Sequence, residues 1–280
     1  MIEKLSCLQR GLDRIRPYVP GTPIDQVKRE YGLEDVVKLA SNENPLGVSP
    51  KALAAMQDAV ARGNLYPDAA SHDLRTAIGR HFGLSHDHVA VGNGADDLIL
   101  QFSLACLDEG DRVVVSRSSF PIYDIYAYAM RAELTKVPLR AGHRIDLPAM
   151  AEAIDERTKL VYVCNPNNPT GTIVHADEVA RFLERIPPNA VVVFDEAYYE
   201  MVDADDFPEM LDWVRAGRSN VVVLRTFSKA YGLAGIRLGY VFADPELVEA
   251  LMRIKTIFNV NIAAQAAGIA ALEDKDFLER

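Results

Sequence analysis

The chain has 280 residues, a length that suffices for one large α/β domain or for a large domain with a smaller one. Thirty Lys and Arg against forty Asp and Glu give a formal net charge of -10, which disfavours binding to nucleic acid and to anionic membranes. No apolar run reaches the roughly 18 residues of a membrane-spanning helix, so the composition is that of an ordinary globular protein.

The first 45 residues are expected to form an extended arm that contributes to a smaller domain, because the prolines and glycines of RPYVPGTP oppose regular structure. Helical patterns with start signals follow. The first is SPKALAAMQDAVAR, with Pro50 after Ser49 in its first turn. Three further helices are predicted over SHDLRTAIGRHF, GADDLILQFSLACL and HADEVARFLERI, the last with an acidic first turn.

Short β-branched runs alternate with these helices. They are HVAVG, RVVVS, LTKVPL, LVYVC, AVVVFD, VVVLR and GYVFA, and several are continuously apolar, as in strands covered on both faces. The alternation predicts a three-layer, doubly wound α/β fold with a mainly parallel seven-stranded sheet. We expect residues 46–250 to form this large domain and the segment from about Pro245 onward to be helices that leave the sheet.

Polar residues directly follow four of the predicted strands. The segments are GNGADD, CNPNNPTG, DEAY and RTFSK. Each has an ordinary structural explanation as a tight turn, a helix cap or a solvated charge. Ligands of open parallel sheets bind beyond the carboxyl ends of the strands, so the four segments together predict a binding site at that edge.

NPNNPTG, DEAY and TFSKAYGLAGIRLGY, in this order and spacing, resemble the class I and II aminotransferases, which are pyridoxal-phosphate enzymes of fold type I. RPYVPG, KLASNENPLG and LYPD are similar to the histidinol-phosphate aminotransferases within that family. The resemblance covers nearly the whole chain. It implies pyridoxal 5'-phosphate as cofactor and amino-group transfer between L-histidinol phosphate and 2-oxoglutarate in histidine biosynthesis, yielding imidazole acetol phosphate and L-glutamate.

The resemblance assigns the catalytic groups to four residues. Lys229 would bond covalently to the cofactor aldehyde and later move a proton at the substrate Cα. Asp195 would pair with the pyridine nitrogen and keep it protonated. Asn168 and Tyr198 match the positions that hydrogen-bond the ring oxygen, which makes Tyr198 both a binding and a catalytic residue.

The cofactor phosphate has candidate partners in the same motifs. The resemblance implies the hydroxyls of Thr226 and Ser228 and the guanidinium of Arg237. The backbone N–H groups of Ala95 and Asp96, in the first turn of a predicted helix, would complete an anion site.

Two tyrosines match further cofactor positions of the family. Tyr123 would stack on the pyridine ring, with Phe120 and Tyr126 as nearby alternatives. Tyr66, in LYPD, would reach the phosphate of the neighbouring subunit's cofactor, which implies a homodimer. No metal site is predicted.

Substrate-side residues are expected near the N-terminus. Tyr18 matches a substrate-side position, with a surface tyrosine beside Pro17 as the alternative. The pair Asn42 and Glu43 is expected either to be structural or to line the substrate entrance, and Asn42 is the predicted substrate-binding residue.

Family members continue into a C-terminal small domain with an arginine for the substrate's acidic group, and residues 251–280 would be the start of that domain. Ile269 and Leu272 are then expected to be exposed.

The three scattered cysteines, Cys7, Cys106 and Cys164, predict reduced thiols in a cytoplasmic protein. The N-terminal residues also lack the apolar segment of an export signal. Alternative functions on the same scaffold are an aromatic-amino-acid aminotransferase and a phosphothreonine-type decarboxylase. From another class, a non-catalytic cofactor-binding and dimerisation fragment remains possible.

Overall fold

The computed structural model describes residues 7–280, so the first six residues of the predicted arm 1–45 lie outside the described residues. The strands are β1 (Val89–Gly92), β2 (Arg112–Ser116), β3 (Glu133–Val137), β4 (Thr158–Cys164), β5 (Val191–Asp195), β6 (Val221–Thr226) and β7 (Gly239–Phe242). The helices of the described residues are α1 (Ile24–Tyr31), α2 (Pro50–Val60), α3 (His72–Phe82), α4 (Ala95–Cys106), α5 (Ile122–Ala129), α6 (Leu147–Glu152), α7 (Ala176–Glu184), α8 (Met210–Arg215), α9 (Pro245–Ile254), α10 (Ile262–Leu272) and α11 (Lys275–Glu279).

The strands form one seven-stranded sheet in the order β1-β7-β6-β5-β4-β2-β3. β7 is antiparallel to both of its neighbours, and the other pairs are parallel. The sequence-based prediction of a mainly parallel sheet is confirmed. The register pairs Cys164 with Asp195 and Asp195 with Leu224, so β4, β5 and β6 end at the same edge.

Helices cover both faces of the sheet and create two apolar cores. The core on one face contains buried residues of α2, α3, α6, α7, α8 and α10, and that on the other contains residues of α4, α5 and α9. Successive residues of a strand point to opposite faces. In β6, for example, Val223 belongs to the first core and Leu224 to the second. This alternation determines towards which of the two cores each residue at a strand end points.

The predicted helices begin as the sequence indicates. The Ser49 hydroxyl accepts a hydrogen bond from the backbone N–H of Ala52 at the start of α2, and Pro50 occupies the first turn. The Asn261 side chain likewise caps α10 by accepting from the Ala264 N–H. Within residues 7–280, no helix is both long enough and apolar enough to cross a bilayer.

Two expectations about the chain ends are wrong. The arm is not extended throughout, because α1 forms after Pro23, where a residue run without proline or glycine permits a helix. The helices after Pro245 do not leave the sheet, since α10 packs against α2 and α3. A Cβ at Gly268 of α10 would lie 2.5 Å from Leu238, so glycine permits this close packing.

Leu272 is accordingly only 5% exposed, and Ile269 packs partly buried against the same core. The expectation that these two side chains are exposed is therefore wrong. The buried residues of α10 share one core with residues of the segment 46–250, and the structure shows no separate unit at 262–272 among the described residues.

Candidate active site

A cavity of about 550 Å³ lies at the carboxyl ends of β4, β5 and β6 and beside the first turn of α4. Its walls bring together residues that are far apart in the sequence. Of the predicted site residues, the cavity is lined by Tyr18, Asn42, Ala95, Asp96, Asn168, Asp195, Tyr198, Thr226, Ser228, Lys229 and Arg237. Tyr66 and Tyr123 do not line it.

Asp195 ends β5 and forms a buried part of the cavity wall. Its carboxylate accepts hydrogen bonds from the Tyr123 hydroxyl at 2.6 Å and from the Ala197 N–H at 3.1 Å. Burial raises the pKa of Asp195, although these hydrogen bonds and the charge of Lys229 oppose the rise. Among residues 7–280, Asp195 makes no ion pair. A buried carboxyl without a cationic partner is suited to a ligand that carries a positive charge.

Lys229 follows β6 on the loop that crosses the cavity. Its ammonium donates a hydrogen bond to the Ser41 carbonyl at 3.0 Å and lies 5.7 Å from the centre of the Tyr198 ring. Burial lowers the pKa of Lys229, Glu43 and Asp195 oppose this effect, and Arg237 adds to it. A lower pKa increases the neutral fraction of the amine, which is the nucleophilic form.

In the loop after β4, two asparagines make hydrogen bonds within the structure and a third lines the cavity. The Asn165 amide exchanges hydrogen bonds with the backbone of Val174, and Asn167 donates to the Ser118 carbonyl and to Thr170. Asn168 instead lines the cavity. The loop is therefore both an internally bonded turn and a source of one functional side chain.

Tyr198 also lines the cavity and is hydrogen-bonded to the N-terminal arm. The Asn42 amide donates a hydrogen bond to the Tyr198 hydroxyl at 2.9 Å. Burial raises the pKa of Tyr198, and the hydrogen bond from Asn42 counteracts part of that rise. Asn42 thus contacts a predicted catalytic group directly, although the sequence placed it only at the entrance.

A candidate anion cradle, in which Arg237 Nη2 donates to the Asp96 carboxylate at 3.1 Å, lines the cavity beside the start of α4. It combines the first-turn backbone of α4, the hydroxyls of Thr226 and Ser228, which lie 3.0 Å apart, and the guanidinium of Arg237. Gly94, at a φ of 89°, precedes α4, and a Cβ at this position would lie 2.1 Å from Arg237 Nη2. Glycine therefore allows the guanidinium to approach the helix start, where N–H groups favour a phosphate.

Tyr123 corrects a sequence-based prediction. It is 1% exposed, stacks on Tyr162 with ring centres 4.4 Å apart, and contacts Asp195 from behind. Phe120, one helical turn earlier, lines the cavity and is the aromatic ring available for stacking. Tyr123 lies inside α5 on its core-facing side, which explains why the prediction of a stacking role is wrong.

Tyr66 is 82% exposed and stacks on Phe258 at 4.5 Å, outside the cavity of its own chain. Sequence reasoning assigned no role to several lining residues, among them Ser41, Ile122 and Cys164. Cys164 ends β4 beside Asp195, so its place at the strand edge was a usable signal. Glu43 was considered with Asn42 for the substrate entrance and lines the cavity, whereas Ser41 lies in a segment without regular structure and gave no signal of its own.

These groups fit a flat, phosphorylated heterocycle with an aldehyde. Asp195 suits a protonated ring nitrogen, the cradle suits a phosphate, and Lys229 offers an amine to the carbonyl carbon. The fold and the site together define a pyridoxal-phosphate type of enzyme. The chain belongs to the family described as aminotransferase class I and II, whose model matches residues 34–280.

Individual relatives and a solved structure show which members of this family the chain resembles. The chain is 49% identical over 261 residues to histidinol-phosphate aminotransferase of Moorella thermoacetica, covering 93% of this chain and 67% of that protein. It is 45% identical to histidinol-phosphate aminotransferase of Bacillus subtilis, covering 97% of this chain and 75% of that protein. A crystal structure of histidinol-phosphate aminotransferase from Sinorhizobium meliloti in complex with pyridoxal-5'-phosphate superposes with a TM-score of 0.89 at 31% identity, over 100% of this chain and 74% of the other.

Proposed function

We propose that the chain transfers the amino group of L-histidinol phosphate to 2-oxoglutarate with pyridoxal 5'-phosphate as cofactor. The observation that carries the proposal is one cavity containing a buried, unpaired Asp195, the amine of Lys229 and an anion cradle ending at Arg237. The substrate assignment is supported by relatives at 45% to 49% identity, which are histidinol-phosphate aminotransferases.

Asp195, Asn168 and Tyr198 would hold the ring of the cofactor, and Thr226, Ser228, Arg237 and the N–H groups of Ala95 and Asp96 would hold its phosphate. Phe120 would cover one face of the ring, in place of Tyr123. When bound, pyridoxal phosphate supplies a ring that withdraws electrons from the substrate Cα. The fixed charge of Asp195 strengthens that withdrawal because it favours the protonated ring nitrogen.

Lys229 would hold and move the proton. Its Nζ lies in a partly buried position where the pKa is lowered, so at neutral pH a larger fraction of the amine can accept a proton from the substrate Cα. The same amine would pass this proton to the aldehyde carbon of the bound cofactor, because the oxidised product carbon keeps no hydrogen. The Tyr198 ring, whose hydroxyl accepts a hydrogen bond from Asn42, lies with its centre 5.7 Å from this amine.

Tyr18 and Asn42 line the open side of the cavity and are proposed to contact the substrate. Tyr66 is too exposed to serve its own cavity and is proposed to reach the cofactor phosphate of a partner in a homodimer. All three cysteines are free thiols in the structure, which supports the proposal of a cytoplasmic enzyme.

The substrate proposal is tested with a panel of amino donors. Purified protein loaded with pyridoxal phosphate is assayed with 2-oxoglutarate and L-histidinol phosphate, L-phenylalanine or L-aspartate, and glutamate formation is measured. We expect kcat/KM for L-histidinol phosphate to exceed the others by at least about tenfold, because the phosphate adds charge-assisted contacts. A preference for L-phenylalanine would instead identify an aromatic-amino-acid aminotransferase.

The homodimer proposal is tested by complementation. Tyr66→Phe subunits are mixed with Lys229→Ala subunits, and activity is compared with that of each parent alone. A mixed dimer contains one site with both Lys229 and the partner's Tyr66, so we expect activity above that of both parents. Equal activity before and after mixing would show that Tyr66 does not act across an interface.

A further inference from the structure

A buried ion pair lies on the face of the sheet opposite the cavity. Arg225 is 1% exposed and Glu196 is 0% exposed. Arg225 donates from Nε to Glu196 Oε2 at 2.9 Å, and its Nη2 lies 2.8 Å from the same oxygen. Neither residue lines the cavity, and the proposed function uses neither.

Both members of this pair adjoin proposed cofactor residues in the sequence. Glu196 follows Asp195, and Arg225 precedes Thr226. Because side chains alternate along a strand, Asp195 and Thr226 reach the cavity while Glu196 and Arg225 point to the other core. The ion pair therefore joins the ends of β5 and β6 from behind.

Arg225 also contacts the segment that carries Tyr198. The guanidinium carbon lies 3.5 Å from the centre of the Tyr199 ring and 5.1 Å from that of Phe82. The Tyr199 hydroxyl donates to Glu209 Oε2 at 2.8 Å, which fixes the ring in place. Arg225 thus contacts the residues that follow Asp195 and Tyr198 in the sequence, and it directly precedes Thr226.

Acidic and phenolic groups from several elements face Arg225. They are Glu196, Tyr199, Glu200, Glu209, Tyr231 and Tyr240, and His81 also lies close enough to be affected by its charge. Burial raises the pKa of Glu196 to about 7, and Arg225 opposes that rise. Burial opposes the charge of Arg225, but Glu196 and the neighbouring phenols outweigh it and raise the pKa of Arg225. The guanidinium is therefore a permanent cation at the centre of this cluster.

We propose that Arg225 is a positioning residue, which holds Asp195, Tyr198 and Thr226 in the geometry that binds the cofactor by anchoring Glu196 and Tyr199 on the opposite face of the sheet. The proposal rests on the proposed function, in which the cavity binds pyridoxal phosphate. The flat guanidinium donates from Nε to Glu196 and lies against the Tyr199 ring in one orientation, which restricts both partners, although the Arg225 Nη atoms and Glu196 Oε1 have no hydrogen-bond partner among the described residues. Without it, no side-chain hydrogen bond of the described residues joins Glu196 to β6, and the two strand ends depend on the backbone ladder and on apolar packing.

The test compares Arg225→Met with Arg75→Met as a matched control. Arg75 is also buried, and it donates to the Val89 and His86 carbonyls at 2.7 and 3.0 Å, away from the cavity. Three quantities are measured for each variant: the thermal unfolding midpoint without cofactor, the dissociation constant of pyridoxal phosphate, and the pH midpoint of the visible band of the bound cofactor. Glu196→Gln serves as a milder variant if Arg225→Met does not fold.

We expect both arginine variants to unfold at lower temperature. Only Arg225→Met should weaken cofactor binding, by at least about tenfold, because small displacements of several binding groups act together. Its pH midpoint should also rise by about half a unit, since Tyr198 is held less well against the ring oxygen. Glu196→Gln should change both cofactor quantities in the same direction by a smaller factor, about threefold in the dissociation constant.

Equal cofactor affinity and pH midpoint in wild type, Arg225→Met and Glu196→Gln, with only the unfolding midpoint lowered, would show that the ion pair is merely structural. The same loss of affinity in Arg75→Met would also overturn the proposal, because it would reflect general destabilisation. A wild-type protein that binds no pyridoxal phosphate would overturn the proposed function itself and this proposal with it. The two failures are therefore distinguishable.

Discussion

The two faces of the sheet at the ends of β5 and β6 use buried charge in opposite ways. On the cavity side, the Asp195 carboxylate has hydrogen bonds but no ion pair among the described residues. On the other side, Arg225 Nη2 and Glu196 Oε2 form a buried ion pair at 2.8 Å. A buried charge without a partner is costly unless a ligand compensates it, whereas a paired charge fixes geometry. The cavity side therefore suits binding and the opposite side suits rigidity.

The sharpest way to break this comparison is to remove the amine on the cavity side. Lys229→Ala should reduce turnover to background while the unfolding midpoint changes little, because Lys229 makes one hydrogen bond, to the Ser41 carbonyl. Turnover and thermal unfolding are measured together. Borohydride reduction of the wild type, followed by peptide mapping, should place the cofactor on Lys229, and label on another lysine would contradict the assignment.

A smaller loss is expected from Asp195→Asn, which keeps the shape of the side chain and removes its charge. We expect kcat to fall at least about a hundredfold, since the ring nitrogen is no longer kept protonated, with a smaller loss of cofactor affinity. Steady-state kinetics and cofactor titration measure the two effects. Near-normal kcat would leave Asp195 as a structural residue that accepts the Ala197 N–H.

The hydroxyl behind Asp195 provides a milder test of the cavity side. Tyr123→Phe removes the 2.6 Å hydrogen bond to Asp195, and we expect kcat/KM to fall about tenfold because one charge-assisted hydrogen bond is lost. The stacked neighbour Tyr162 offers a matched control, since its hydroxyl does not contact Asp195. Equal effects of Tyr123→Phe and Tyr162→Phe would indicate a loss of packing rather than of orientation.

The smallest expected effect concerns stability on the opposite side. Burial raises the pKa of Glu200 from an ordinary value of 4.5 to about 7. The folded state therefore keeps a proton that the unfolded state releases, so this contribution to stability is full below pH 4.5 and is lost as pH rises through about 7. Glu200→Gln should unfold like wild type at pH 4 and be more stable by at least about 1 kcal/mol at pH 8.

Chemical or thermal unfolding at the two pH values measures this difference. Turnover should stay within about twofold of wild type, because Glu200 does not line the cavity. Substitutions that share no partner with a site usually act independently of it. A stability gain that is equal at both pH values would show that the ionisation of Glu200 is not its cause.

Much of the fold and of the candidate site could be predicted from local sequence patterns. The strands are continuous β-branched runs, and the polar segments directly after them must meet at one edge of a parallel sheet. Lys229, Asp195 and Asn168 were predicted in this way and do line one cavity. Their proximity follows from topology alone, because it needs only the direction of each strand.

The sequence by itself thus determined the mainly parallel sheet and which segments supply the cavity. Only the tertiary structure decided between Phe120 and Tyr123, since both lie near the start of α5 and the rotation of that helix selects which ring is exposed. It also decided that α10 packs into the core and that Arg225 pairs with Glu196, 29 positions away. The physical reason is that strand and helix periods are local, whereas side-chain partners depend on how separate elements pack together.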